Sequence, residues 1–432
     1  MTSASFEKKI AHFVREFFAN HPNVKLVAVT GSAGKTSAKT AIATVLSQRY
    51  AVAMHEAEPH SRLQTLLQIM GVRYPDAPEE KWGWLTRRRL LKAVKKRARA
   101  EHPEAQVIVQ EFSPHDIGYH TWFQPILSPD IAVITSVTTG RMHVEHPVEA
   151  VAQEMITLAN IAKFAIINRD DIDGRFAAFL TNPQMTTYGT SGVAEYFFDE
   201  HMFSLDEGYS GKMLSPEYAD GFDVTLRLLG EHSVRPAVAA MTVAVKLGLD
   251  TQTIAAGLVQ LRSLPGRLQL LHGADQTTLL DDSYSSSPLT AVSALQTLYS
   301  LESPQRIAVL GNMNGLRHQA AEGHAALGAQ CSPQELDWVV TVGEMANHYL
   351  APAARQNGCQ VKECRNALEA GAFVRKQLQP GGIALFKGSS GGVWLEEAIK
   401  VNLRSLDDEK KLVRQSPQWL ERKRQFFSHF SD

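Results

Sequence analysis

"VTGSAGKTSAKTAIATVLSQRY", residues 29–50, follows the apolar run "KLVAV" and passes from a glycine turn into a helix. A buried strand, a tight turn and a helix start in that order are the makings of a phosphate cradle. The helix N-terminus offers backbone N–H groups and the positive end of its dipole to an anion. Gly31 and Gly34 allow close backbone approach, Lys35 has the reach for terminal phosphates, and Thr36 has a hydroxyl suited to Mg²⁺. The pattern is GxxGK[ST]; the outermost glycine of the full phosphate-loop pattern is absent, since Val29 stands there. A plain glycine turn with a surface lysine is the alternative, disfavoured because strand and helix flank the turn in the required places. Gly31, Ser32, Ala33, Gly34, Lys35, Thr36 and Ser37 are therefore the expected nucleotide-binding loop.

Around this stretch, short Val/Ile/Leu-rich runs alternate with helical segments. "AQVIVQEF", "DIAVITSV" and "FAIIN" follow in the first half, and "TLLDDS", "RIAVLGN", "DWVVTVG" and "GGIALFKG" in the second. Continuous apolar runs separated by helices are the pattern of parallel strands covered on both faces, so the fold class is α/β with two sheets. Residues 184–232 break the rhythm and read as short antiparallel strands forming a small subsidiary sheet. "HSVRPAVAAMTVAVKLGLDTQTIAAGLVQL" reads as two helices, and the Pro-Gly turn in "RSLPGRLQLL" opens a new strand. The expected division is an N-terminal helix at 1–23, a central domain at 24–263 and a C-terminal domain at 264–432. In the first helix, Phe6, Ile10, Phe13 and Phe17 recur at helical spacing.

With 432 residues, 44 Lys and Arg balance 45 Asp and Glu, which leaves no global attraction for nucleic acid or anionic membrane. No stretch reaches the roughly 18 apolar residues of a membrane span. The three cysteines, Cys331, Cys359 and Cys364, form no CxxC pair, which argues against a zinc ribbon or a disulfide framework and fits a soluble protein of the reducing cytosol. Residues 76–105, "DAPEEKWGWLTRRRLLKAVKKRARAEHPEA", stand apart as a basic helical stretch. A solvated charged face is its plainer reading, and a polyanion or membrane-surface contact the sharper one.

Further residues with chemistry sit at strand ends, where open α/β sheets bind ligands. Glu111 ends "VIVQE" and offers a carboxylate to Mg²⁺. His143, Glu145 and His146 cluster in "RMHVEHP"; a histidine is a less usual ligand for that hard cation. Arg267, after the Pro-Gly turn, presents a fork suited to phosphate. Asp281 and Asp282 end a strand before a Ser-rich helix start, a position suited to a ribose or an ammonium.

The order of these segments resembles the Mur ligase family, ATP-dependent enzymes that join a carboxylate to an amine. From about residue 25 to 400, TGSAGKTS is similar to the family's TGSNGKTT, "RMHVEH" to AHLE, "LLGEHSVRPAVAA" to GxHNxxNxxAA, "LPGRLQ" to the PGR turn, "LLDDSYSSSP" to DDSYNANP, "VLGNM" to VLGDM and "FKGSSGGVWLEEAI" to the KGSRxxxME region. The correspondence is nearest to the branch that adds D-alanyl-D-alanine in peptidoglycan synthesis. The resemblance implies a P-loop central domain and a Rossmann-like C-terminal domain, with ATP and Mg²⁺ as cofactors. It implies that Lys35 and the loop bind phosphates, Thr36 and Glu111 hold one Mg²⁺, His143 holds a second, and Arg267 and Asp282 reach the nucleotide. Lys387 and Ser389 would approach the amino substrate. The implied partners are a small-molecule or peptidyl carboxylate and an amino-acid or dipeptide amine, with no nucleic acid and no integral membrane.

The chain departs from the family pattern in places that bear on the substrate. About 24 residues precede the first strand, so the family's N-terminal UDP-binding domain is expected to be missing or supplied by a partner protein. "EAEPHSRLQTLL" replaces an Asn-rich loop, Gln153 stands where many relatives carry a carbamylated lysine, Arg235 replaces an Asn, and Ser285 and Ser287 replace the Asn residues of DDSYNANP. Alternatives are a ligase for another acceptor, of the poly-amino-acid or folate type, and a nucleotide-binding pseudoenzyme. The DDSY segment argues against the folate type, which has a DGAHNP-like run there.

Overall fold

The computed structural model describes residues 3–75, 77–137 and 147–430. They divide into two compact units: residues up to Arg227 with Ser233–Leu261, and Leu228–His232 with the chain from Arg262 onward.

The first unit holds a nine-stranded sheet. Its strands are β1 (Lys25–Thr30), β2 (Val52–Met54), β3 (Val107–Glu111), β4 (Ile131–Ile134), β5 (Phe164–Asn168), β6 (Met185–Gly189), β7 (Tyr196–Ser204), β8 (Gly208–Ser215) and β9 (Tyr218–Leu226), in spatial order β2-β3-β1-β4-β5-β6-β7-β8-β9. β1, β3 and β4 are almost wholly buried, which is why they read as unbroken apolar runs. Helices α1 (Ser3–Asn20), α2 (Lys35–Leu46), α3 (Arg62–Ile69), α4 (Trp84–Ala98), α5 (Tyr119–Phe123), α6 (Val148–Ile161), α7 (Glu231–Lys246) and α8 (Thr251–Leu258) complete it. Far from standing apart, α1 places Phe6, Ile10, Val14 and Phe17 in the same core as Leu90, Val94 and Ala98 of α4.

The strands at 184–232 differ from the expected subsidiary sheet. β6 pairs in parallel with β5, and Tyr188 and Gly189 pair in parallel with Tyr196 and Phe197 of β7, so the backbone ladder never breaks. Only β7, β8 and β9 are antiparallel, and they extend the main sheet. The crossover from β5 to β6 makes "MTTYG" parallel, and that pairing welds the antiparallel strands on.

The second unit holds six strands: β10 (Gln269–His272), β11 (Thr278–Asp282), β12 (Arg306–Gly311), β13 (Trp338–Val342), β14 (Val361–Cys364) and β15 (Ile383–Lys387), in order β10-β11-β15-β12-β13-β14. All pair in parallel except β10 with β11. Helices α9 (Pro288–Ser300), α10 (Ala320–Ala329), α11 (Ala351–Gln356), α12 (Ala367–Gln377), α13 (Leu395–Asn402) and α14 (Pro417–Phe427) accompany them. This is the Rossmann-like arrangement, with a core that includes Val309, Val340, Phe386 and Ile399.

Candidate active site

Sheet register builds the first cluster. Val29 of β1 lies beside Glu111 of β3, and Thr30 beside Ile134 of β4, so the turn after β1 emerges between the ends of both neighbours. Gly31 has φ +144°, and a Cβ there would lie 2.2 Å from Thr135 Oγ1 and 2.8 Å from Ser136 N, so the turn admits no side chain. Gly34, at φ +78°, occupies the left-handed region and starts α2. Ser136 ties the turn down: its carbonyl accepts from Ser32 N (3.0 Å) and its Oγ from Ala33 N (2.8 Å).

Charge is concentrated at the base of α2. Lys35 is only 4 % exposed; its Nζ donates to Gly31 O (3.1 Å) and lies 3.5 Å from Glu58 Oε1 and 4.0 Å from Glu111 Oε1. Thr36 Oγ1 donates to Glu111 Oε2 at 3.2 Å, and Lys39 Nζ lies 3.2 Å from the same oxygen. Ser113 Oγ joins the two carboxylates, 3.0 Å from Glu58 and 3.1 Å from Glu111. Lys39 also donates to the carbonyls of His55 (2.9 Å) and Glu56 (3.2 Å), fastening the 55–61 segment to α2. Thr36 and Glu111 form an all-oxygen pair at a helix start, a donor set that suits a hard divalent cation.

Lys35, Thr36 and Glu111 thus come together, as the sequence pattern requires. His143, with Glu145 and His146, lies outside the described residues. Gln153 stands on the exposed face of α6; the α6 side chain that approaches β1 is Met155, with Sδ 3.5 Å from Thr30 Oγ1. Its neighbour Glu154 is buried and accepts from Gly118 N (2.6 Å) and His120 N (2.7 Å). Burial alone would raise the Glu154 pKa, but hydrogen bonds and charge from His120 and the Gly118 amide hold it below the usual carboxylate value. Arg235 pairs with Asp170 (3.2 Å) and Asp171 (3.3 Å).

The second unit gathers its own cluster. Register sets Asp282 beside Lys387 at the ends of β11 and β15. Asp282 Oδ2 lies 3.0 Å from Lys387 Nζ, and Asp282 Oδ1 accepts from Leu268 N (3.3 Å), in the turn that carries Arg267. Lys387 also donates to Ser285 O at 2.5 Å. Arg267 lies over the Tyr284 ring, 4.3 Å from its centroid. Ser389 Oγ accepts from Asn314 N (2.8 Å) and donates to Ser286 O (3.4 Å). Asp281 is fully buried, with Oδ1 held by Ser283; burial outweighs those hydrogen bonds and raises its pKa to about 6.

Sequence reasoning passed over Lys39, Glu58, Ser113 and Ser136. Lys39 was within reach of it, one helical turn beyond Lys35 on the same face. It also missed Arg414, which donates to Ser283 O (2.8 Å), Tyr284 O (3.3 Å) and both oxygens of buried Glu396 (2.8 and 2.6 Å).

The Mur ligase middle-domain family matches residues 29–244, half of the chain, and the Mur ligase glutamate-ligase-domain family matches residues 266–390. The chain belongs to the Mur ligase family. Among similar proteins, the UDP-N-acetylmuramoyl-tripeptide–D-alanyl-D-alanine ligase of Bacillus subtilis is 26% identical over 389 residues, covering 87% of this chain and 75% of the relative. The ligase of the same name from Synechocystis is 27% identical over 375 residues, covering 85% and 72%. Among solved structures, MurF from Acinetobacter baumannii superposes with a TM-score of 0.72 at 21% identity, over 92% of this chain and 79% of that one. MurF from Thermotoga maritima in complex with ADP gives 0.69 at 17% identity, over 95% and 85%. The fold of this Mur ligase family member is accordingly that of MurF.

Proposed function

We propose that this chain is an ATP-dependent ligase that joins a carboxylate to an amine in peptidoglycan precursor synthesis; its relatives are named as ligases of a UDP-N-acetylmuramoyl tripeptide and D-alanyl-D-alanine. The observation that carries the proposal is the Gly31–Lys35 turn with Thr36 and Glu111 at its mouth, in a chain of this family. The start of α2 and Lys35 would hold the β and γ phosphates, the backbone N–H groups and the ammonium together countering their charge. Thr36 and Glu111 would hold Mg²⁺, which when bound supplies further positive charge to the transferring phosphoryl group. A substrate carboxylate oxygen attacks the γ phosphorus as the bond to ADP breaks, giving an acyl phosphate. The amine nitrogen then attacks the acyl carbon, phosphate departs with the bonding pair, and the amine loses a proton.

Residue roles beyond the turn are part of the same proposal. Arg267 is assigned to the nucleotide phosphates, and His143 to a second Mg²⁺ on the resemblance alone. Asp282 is assigned to the nucleotide, and Lys387 and Ser389 to the amino substrate; engaging Asp282 or Lys387 with a ligand requires loosening the 3.0 Å pair between them. The substrates proposed are a UDP-muramoyl tripeptide and D-alanyl-D-alanine, after the relatives.

The test is ADP release on a panel of UDP-muramoyl peptides with amino acids and dipeptides. Turnover that depends on both acceptor and amine is expected. Tight ATP binding without stimulation by any pair would defeat the ligase assignment.

A further inference from the structure

Helix α4 takes no part in the cluster around Lys35. Its fifteen residues, WLTRRRLLKAVKKRA, include seven basic side chains and no acidic one, in a chain whose charges balance as a whole. Leu90, Val94 and Ala98 point into the core beside α1. The other face is exposed: Trp84, Leu85, Arg88, Arg89, Lys92, Lys95 and Lys96 recur at three- and four-residue intervals along one side. Arg88 lies over the Trp84 ring at 5.3 Å, and Arg97 pairs with Glu104. Among the described residues, no carboxylate pairs with Arg89, Lys92, Lys95 or Lys96. Acidic groups flank the helix at Glu79, Glu80, Glu101 and Glu104 but do not enter it.

The start of this stripe is apolar. Trp84 is 67 % exposed and Leu85 59 %, two large side chains side by side in water. We propose that α4 is a docking surface for an anionic lipid bilayer, with Trp84 and Leu85 entering the interfacial layer and Arg88, Arg89, Lys92, Lys95 and Lys96 lying on the headgroups. Charge complementarity selects a polyanion, and the adjoining indole and Leu side chain select lipid over duplex nucleic acid. Phosphodiester charge is matched by the cations alone and would leave both apolar groups in water, whereas a membrane interface takes up Trp and Leu beside cations. The contact is adsorption: the inner face of α4 is committed to the core, and no described helix is long and apolar enough to cross a membrane. It is independent of the ligase proposal.

The experiment is co-sedimentation of the full chain with vesicles of phosphatidylglycerol and phosphatidylcholine in equal parts, and with phosphatidylcholine alone. Binding is expected only to the anionic vesicles, and its loss near 1 M NaCl, where the screening length falls to about 3 Å. The exposed triple variant R89E/K92E/K96E should lower partitioning more than about a hundredfold, given roughly fivefold per basic residue near such a surface. W84S/L85S keeps the charge and should weaken binding severalfold. Bromolipid should quench Trp fluorescence in the wild type and less so in W84F. Unchanged melting temperatures and nucleotide binding establish that the variants are folded. No binding to anionic vesicles, binding indifferent to charge reversal or to W84S/L85S, or preference for duplex DNA or RNA fragments over vesicles would each overturn the proposal.

Discussion

Each unit buries a lysine at the C-terminal end of its parallel strands, and the two have different partners. Lys387 is locked: its ammonium lies 3.0 Å from Asp282 and donates to Ser285 O, and the aspartate in turn receives Leu268 N. Lys35 lies between two carboxylates, at 3.5 and 4.0 Å, and donates to Gly31 O at 3.1 Å. The Lys387 pair braces a loop, whereas Lys35 stands beside a helix start, where the proposed function has it meet a phosphate. On the proposed function, the same sheet plan gives a brace in one unit and an anion cradle in the other.

Three substitutions press on that contrast most strongly. Lys35→Ala should lower ADP release by about a thousandfold, the scale expected for removing a cation that stabilises transferring phosphoryl charge; unchanged turnover would mean the turn is not the phosphate site. Lys387→Met should act on folding as well as on the amine step to which Lys387 is assigned. It leaves the buried Asp282 carboxylate without its cation, and a loss of about 3–5 kcal/mol should appear in denaturant unfolding of the second unit. If Lys387→Met instead leaves stability intact and abolishes turnover, the brace assignment fails. Asp281→Asn tests the burial of charge beside that brace. The folded pKa of Asp281 is raised to about 6 from 3.8, so the wild type binds a proton that the unfolded chain has released. The native state therefore loses stability as pH rises from about 4 to 6 and levels off above, up to about 3 kcal/mol at 1.36 kcal/mol per unit. Relative to the wild type, Asp281→Asn should become more stable over that window; a pH-independent difference would show that Asp281 ionises normally.

Glu58→Gln is the finest probe of the cradle. The Glu58 carboxylate lies 3.5 Å from Lys35 Nζ and accepts from Ser113, so on the proposed function it would compete with a phosphate for that ammonium. Removing its charge should tighten ADP binding in EDTA by a few-fold, read by calorimetry. Weaker binding would mean that Glu58 assists the nucleotide, not that it competes with it.

The parallel strands around β1 and β12 were legible because burial on both faces writes an unbroken apolar run, and Lys35, Thr36 and Glu111 because loop chemistry and strand ends are local in sequence. Other elements left weaker traces. β2 and β14 are short edge strands, partly exposed, and have no such run. The continuity of the nine-stranded sheet rests on two residue pairs between β6 and β7, which no periodicity records. Gln153 was singled out by the resemblance, which carries no information on the rotation of α6, and the packing turns it outward. Glu58 reaches Lys35 from a loop more than twenty residues away, held by Lys39 through backbone carbonyls, which carry no side-chain signature.

Arg414 has a practical consequence for anyone who divides this chain. The recognisable family segment stops at residue 390, yet the guanidinium that grips the Ser283 and Tyr284 carbonyls, and the buried Glu396 that orients it, lie beyond that point. A fragment trimmed to the family boundary would leave those carbonyls without their clamp and strip α13 from the sheet it covers. The edge of sequence similarity is therefore the wrong place to cut, and the last forty residues belong to any piece meant to fold.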